Sequence, residues 1–176
     1  AKKTDFRYGG TLEMWLYAET TAPSARRTIF EKQATMSGVP SYQQELAVTW
    51  EVGQDLTYYR HLAPVPPTST AAAWGATYDN ASTAAMTAGA WNHWAIVLYP
   101  HLGPGQAYLN GVAVGSYDNR SWRLPRQAGA ISIGQGYAGS SPCLNGGIAT
   151  VRWYTKIFDA ADVKYNYNVT KARFGL

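Results

Sequence analysis

The chain has 176 residues, 15 Lys plus Arg against 11 Asp plus Glu for a formal charge of +4, and 46% hydrophobic and 14% aromatic side chains. So few charges among so many rings exclude a disordered chain, and a charge this small excludes the dense basic composition of a dedicated nucleic-acid binder. A single cysteine, Cys143, excludes an intrachain disulfide and a cysteine-based zinc site.

At this length one domain buries roughly 70% of the surface its unfolded chain exposes and needs no covalent staple. Residues 1–176 are taken as that domain, with 1–9 as an N-terminal arm and 166–176 as a C-terminal tail. Residues 1–8 are Lys-rich without an apolar stretch, so they do not read as a secretory signal. From Thr11 to Tyr17, Leu12, Met14 and Leu16 alternate with Thr11, Glu13, Trp15 and Tyr17, the period of two that a strand requires. Two-layer packing lets both rows be partly buried. The same alternation, bounded by Gly, Pro, Asn or Ser, predicts strands over 28–32, 42–50, 55–61, 92–99, 106–109, 112–115, 130–134 and 146–154. Turns and not helical crossovers separate them, so the fold class is all-β, an antiparallel β-sandwich. Residues 63–73, with three prolines, read as an extended surface segment. Residues 78–82 and 117–121 read as two similar turns, the second opening a polar loop to Arg126. The longest strongly apolar run, 94–99, is six residues, far short of the roughly 20 that cross a bilayer, so no membrane insertion is expected. Asn110-Gly111, between two apolar flanks, predicts a two-residue type I′ hairpin because both residues tolerate positive φ. Residues 136–145 form a Gly/Ser/Pro loop. After Phe158, Asp159 can cap the first amides of a short C-terminal helical turn, or two, with Val163 and Tyr167 four apart, as a cover and not a core helix.

Ordered landmarks carry a resemblance. Thr11-Leu12-Glu13-Met14-Trp15-Leu16, Ile29-Phe30-Glu31-Lys32, Trp91-Asn92-His93-Trp94-Ala95, Tyr108-Leu109-Asn110-Gly111 and the closing 145–154 segment with 158–163 resemble concanavalin A-like, laminin G-like jelly-roll domains over about residues 10–165. Residues 165–176 resemble the endings of such domains in virion proteins of tailed bacteriophages. The resemblance implies a jelly roll, makes His93 a packing residue of the Trp-x-His-x-Ala strand, and implies another strand before Thr11. Only ten residues precede Thr11, so the opening strand is absent, or the chain is a piece of a longer protein, or a neighbouring chain fills the gap; a missing strand would leave an open edge, which hints at assembly.

Retaining glycanases hold two carboxyl groups about 5 to 5.5 Å apart, and same-face strand positions are two residues apart, so a Glu-x-Asp-x-Glu row is expected of an enzyme on this fold. Glu51 and Asp55 are instead four apart across Gly53, and Glu13, Glu31 and Glu45 have no carboxylate within three residues. His61, His93 and His101 have no metal-ligand spacing, no Gly-x-Ser-x-Gly elbow occurs, and Gly134-Gln135-Gly136 precedes no helical pattern. The expectation is a non-enzymatic chain with no catalytic residue. Its binding candidates are Arg120, Trp122, Arg123 and Arg126, where guanidinium forks and an indole share one loop and suit sulfated or uronic glycans. Tyr58 and Tyr59, beside Arg60, are a second candidate, since neighbouring strand residues point to opposite faces. No cofactor is required; calcium is left open through Asp79 and Asn80 in one turn and Asp118 and Asn119 in another, although such residues are first of all turn formers. Sequons at Asn80, Asn119 and Asn168 are neutral on compartment.

These features read as a virion structural and binding module, a capsid decoration, fibre or tail adhesin on a virion surface or outside the cell. Its expected partners are host glycans or other virion proteins, with a homo-oligomer left open and nucleic acid excluded. The alternatives are a purely structural subunit and a laminarinase-like glycoside hydrolase testable at Glu51.

Overall fold

The structure, a computed structural model, describes residues 9–19, 24–34, 43–50, 52, 55–61, 78–100, 105–117, 130–135 and 143–176. Ten strands are described: β1 (Gly10–Ala18), β2 (Arg27–Ala34), β3 (Gln43–Trp50), β4 (Asp55–His61), β5 (Tyr78–Ala85), β6 (Ala90–Leu98), β7 (Gly105–Leu109), β8 (Val112–Tyr117), β9 (Ile131–Ile133) and β10 (Gly146–Tyr154). They form two five-stranded sheets, ordered β10-β1-β6-β7-β8 and β5-β4-β3-β2-β9. Every described pairing is antiparallel. The antiparallel sandwich predicted from alternation is therefore the fold.

Alternation places the core. Leu12, Met14 and Leu16 of β1 and Trp94, Ile96 and Leu98 of β6 are fully buried, and they pack with Ile29, Leu46, Val48 and Trp50 of the second sheet in one apolar cluster. Each such side chain stabilises by roughly 1.5–3 kcal/mol relative to leaving it in water. The opposite row of β1 is buried as well, with Thr11, Glu13 and Trp15 at 2% exposure or less. Something must cover the outside of the first sheet, and the C-terminal segment does so.

That cover is α1 (Ala160–Lys171), followed by a 3-10 turn at Ala172–Phe174. Its start is a capping box in which the Asp162 N–H donates to Asp159 Oδ1 at 2.8 Å and the Asp159 N–H to Asp162 Oδ2 at 3.2 Å. It ends at Gly175 (φ 77°), where the Leu176 N–H donates to the Lys171 carbonyl and the Gly175 N–H to the Ala172 carbonyl, the bond pair of a Schellman ending. Val163, Tyr99, Tyr154, Ile157 and Phe158 pack with Ala95, Val97 and Tyr108 of the sheet. Asp159 is the cap as expected, but the helix is 12 residues long and not one or two turns. Its inner face carries Asn166 and Thr170 where an aliphatic repeat would have announced it.

Two further differences separate expectation from structure. Residues 78–85, read as a turn at Tyr78–Ser82, form β5 and pair with β4, so Asp79 and Asn80 lie in a strand and not in a loop. β1 is paired on both sides, by β10 and β6, so the open edge expected beside it is filled by the last strand. The Asn110-Gly111 hairpin stands as predicted, with φ of 51° and 77°. Among the described residues no helix is long and apolar enough to cross a membrane.

Candidate functional site

The register of β10, β1 and β6 arranges the outer face of the first sheet in rows. Tyr154, Thr11 and Val97 make the first, Arg152, Glu13 and Ala95 the second, Thr150, Trp15 and His93 the third, and Gly147, Tyr17 and Trp91 the fourth. The C-terminal segment runs along these rows and is held by successive outward residues of β1. The Thr11 hydroxyl donates to the Lys156 carbonyl at 3.0 Å and accepts from the Phe158 N–H at 3.1 Å. Asn166 Nδ2 donates to both carboxylate oxygens of Glu13, at 3.2 and 3.1 Å. The Trp15 indole N–H donates to Thr170 Oγ1 at 3.2 Å, and that hydroxyl donates to the Asn166 carbonyl at 2.6 Å.

The second and third rows enclose a polar cluster under the helix. Burial pushes the Glu13 carboxyl above its ordinary pKa, opposed by the hydrogen bonds from Asn166 and Tyr154 and by the Arg152 charge. Burial, and then the Arg152 charge, lower His93 to about 4. His93 Nε2 lies 3.8 Å from Glu13 Oε1; with the imidazole neutral at that pKa, the two are neighbours and not an ion pair. The His93 backbone is fixed by the hairpin, its N–H donating to Asn110 Oδ1 at 2.8 Å and its carbonyl accepting from the Asn110 N–H at 2.7 Å. His93 Nδ1 meets no hydrogen-bond partner among the described residues. The cluster can position a helix: Glu13 and His93 are at 1–2% exposure, while Arg152, Asn166 and Thr170 around them are half-buried.

The fourth row is different, because the cover stops there. Trp15 stacks on Phe174 of the 3-10 turn (centroids 4.1 Å apart, planes 19° apart). Phe174 meets Trp91 at 5.2 Å and 53°, and Trp91 meets Tyr17 at 5.5 Å and 59°. Trp15 is buried, whereas Tyr17, Trp91 and Phe174 are only partly so. Gly147 makes room for the indole: a Cβ there would stand 3.2 Å from Trp91 Cη2. Arg173, exposed, holds its guanidinium 6.0 Å from the Phe174 centroid. The result is a rigid aromatic corner with a cation at its rim, a surface able to stack on a flat apolar face and to meet a negative charge.

Of the residues named from sequence, Arg120, Trp122, Arg123, Arg126, Asp118 and Asn119 lie outside the described residues. Tyr58 stands opposite Val48 and Tyr59 opposite Ala47 in the β3–β4 ladder. Among the described residues no group of three or more His, Cys, Asp or Glu is placed to hold a metal ion. Sequence reasoning missed the aromatic corner. Tyr17 and Trp91 were visible as strand residues, but Phe174 lay in what read as a tail.

Residues 2–164 match the family described as the concanavalin A-like lectin/glucanases superfamily. The chain belongs to that superfamily. No curated protein matches its sequence. Among solved structures, this superfamily member resembles a Trypanosoma rangeli sialidase in complex with 2,3-difluorosialic acid, with a TM-score of 0.65 at 12% identity over 96% of this chain and 24% of the sialidase. It also resembles the binding domain of botulinum neurotoxin DC in complex with SialylT, with a TM-score of 0.66 at 11% identity over 93% of this chain and 36% of the other. The domain thus spans about a quarter to a third of these chains, and at such identities the likeness is one of fold. The comparison overturns one expectation. A non-enzymatic chain was inferred from a missing carboxylate row, yet structures sharing this fold include sialidases, which are enzymes, and the superfamily takes in glucanases beside lectins. The absence of one spacing motif therefore does not separate binders from enzymes here.

Proposed function

We propose that this superfamily member recognises carbohydrate, as a lectin-type module displayed outside the cell or on a virus particle. The observation that carries the reading is the two-sheet sandwich of the lectin/glucanase superfamily, matched over residues 2–164. A structural neighbour that is itself a binding domain in complex with SialylT supports it. The virion setting is supported by the resemblance of residues 165–176 to endings of such domains in tailed-bacteriophage proteins. In that setting each weak site gains from many copies on one particle, through effective concentration. Arg120, Trp122, Arg123 and Arg126 are proposed to contact acidic glycans, with Tyr58 and Tyr59 as further candidates.

A glycan panel probed with the purified chain, as monomer and as an oligomeric fusion, tests this. Binding to acidic glycans that rises on the order of a hundredfold on oligomerisation, and that weakens with Arg120→Ala and Trp122→Ala, is the expected result. Absence of binding to every acidic and neutral glycan in both forms overturns the reading.

A further inference from the structure

The aromatic corner at the end of the first sheet is a site that neither the family nor the sequence motifs assign. We propose that Tyr17, Trp91 and Phe174, with Arg173 at the rim, form a binding site for an acidic saccharide. The rings stack on the C–H face of a pyranose and the guanidinium meets its carboxylate or sulfate. This deepens the carbohydrate reading and rests on it.

Four observations lead here. First, the corner is built and not a loose surface: Tyr17 and Trp91 face each other across paired strands, and Phe174 is clamped on Trp15 by a near-parallel stack. Rings fixed in this way lose little entropy on binding, which is what makes aromatic platforms efficient. Second, the ring planes stand at 53° and 59° to one another, so they pack at a tilt and do not close into a flat stack. Third, the neighbouring position in the same row, Gly147, has no side chain, so the floor beside Tyr17 stays low and the indole reaches across it. Fourth, the rim carries a cation. Arg173 is exposed, with its guanidinium over the Phe174 ring, 6.0 Å from the centroid. Rings alone would take any apolar group; rings with a guanidinium fork favour a sugar bearing an anionic substituent.

Sialyllactose and lactose differ by one carboxylated sugar, so together they separate stacking from charge recognition. Binding to the full chain is read by tryptophan fluorescence and by saturation-transfer NMR. The expected result is that Trp91→Ala weakens sialyllactose about tenfold, the worth of about 1.4 kcal/mol. Arg173→Gln weakens sialyllactose about fivefold and leaves any lactose binding unchanged. Arg173 is exposed and outside the apolar clusters, so its variant keeps the test readable if Trp91→Ala fails to fold. Undiminished sialyllactose binding by both variants overturns the corner as the site while leaving the carbohydrate reading intact. Loss with Trp91→Ala but not with Arg173→Gln overturns the acidic class. Failure of the parent chain to bind any saccharide of the panel overturns the carbohydrate reading and this inference with it.

Discussion

Glu13 sits at 2% exposure, where a carboxylate needs donors to offset lost hydration. Its neighbours are chosen accordingly, since Asn166 donates to both oxygens and Arg152 supplies a positive charge. Asn166→Ala removes two donors and is expected to cost about 1–3 kcal/mol. Asn166→Asp does worse, because it sets a second carboxylate against the first at the same spacing, with a cost of about 3 kcal/mol or more at neutral pH. Mutual repulsion raises the folded pKa of that pair, so the lost stability returns as pH falls; urea denaturation at pH 8 and pH 5 reads it, and equal destabilisation at both contradicts the account. His93 works in the opposite direction. Its folded pKa of about 4 lies below the ordinary 6.5, so the unfolded chain takes up the proton first as pH falls below 6.5. Stability is therefore lost between 6.5 and about 4, by up to about 3 kcal/mol, and the loss is complete below that. Glu13, with its folded pKa raised from 4.5, loses stability as pH rises instead. In His93→Gln the acid decline between pH 6.5 and 4 is expected to flatten; an unchanged slope in denaturation measured across that window removes His93 as its cause.

Local sequence chemistry specifies some elements fully and others hardly at all. Asp159 caps α1 by its own side chain, and Asp159→Ala is expected to cost about 1 kcal/mol in thermal or chemical unfolding. Gly111 is held at φ 77°, and a Cβ there would lie 3.1 Å from Tyr167 Cδ1. Gly111→Ala therefore combines left-handed strain of about 1–2 kcal/mol with displacement of the ring that seats the helix. A shift of the Tyr167 ring signals by NMR accompanies the lower melting point, and unshifted signals mean that the turn and the helix are not coupled. Those two features were legible because a turn and a cap are short-range: Asn-Gly and Asp159 act on residues within four positions. β5 was not legible. Its sequence, Tyr-Asp-Asn-Ala-Ser-Thr-Ala-Ala, is poor in β-branched residues, and it is a strand because β4 offers it a ladder. α1 was legible at its start but not in its length, since its inner face is Val163, Asn166, Tyr167, Thr170 and then Phe174. The polar members are explained only by Glu13 and Trp15, 153 and 155 residues earlier in the chain. The aromatic corner was hidden for the same reason.

Such separations also govern how the whole molecule assembles. β1 pairs with β6 and with β10, so the first sheet is complete only when the last strand arrives, and every outward row of β1 waits for the segment after it. Strand pairing over most of the chain length carries a large loop-closure cost before any contact repays it, which places folding on the slow side of the topological range. The same geometry makes residues 143–176 a unit, because strand β10 and the helix that covers it follow each other and both dock on β1. A chain cut after residue 145 would leave β1 unpaired on one side and would uncover Trp15, Ala95, Val97 and Tyr108, all at 6% exposure or less in the intact domain. It is expected to show no cooperative unfolding transition and to bind a dye specific for exposed apolar surface. A peptide of residues 143–176 added in trans is expected to restore the transition, because it supplies the missing ladder and the missing cover together, whereas residues 156–176 alone supply only the cover and restore nothing. A cut chain that unfolds cooperatively without the peptide would mean that β1 is held by β6 and the core alone, and that the C-terminal unit is an attachment to a finished sandwich.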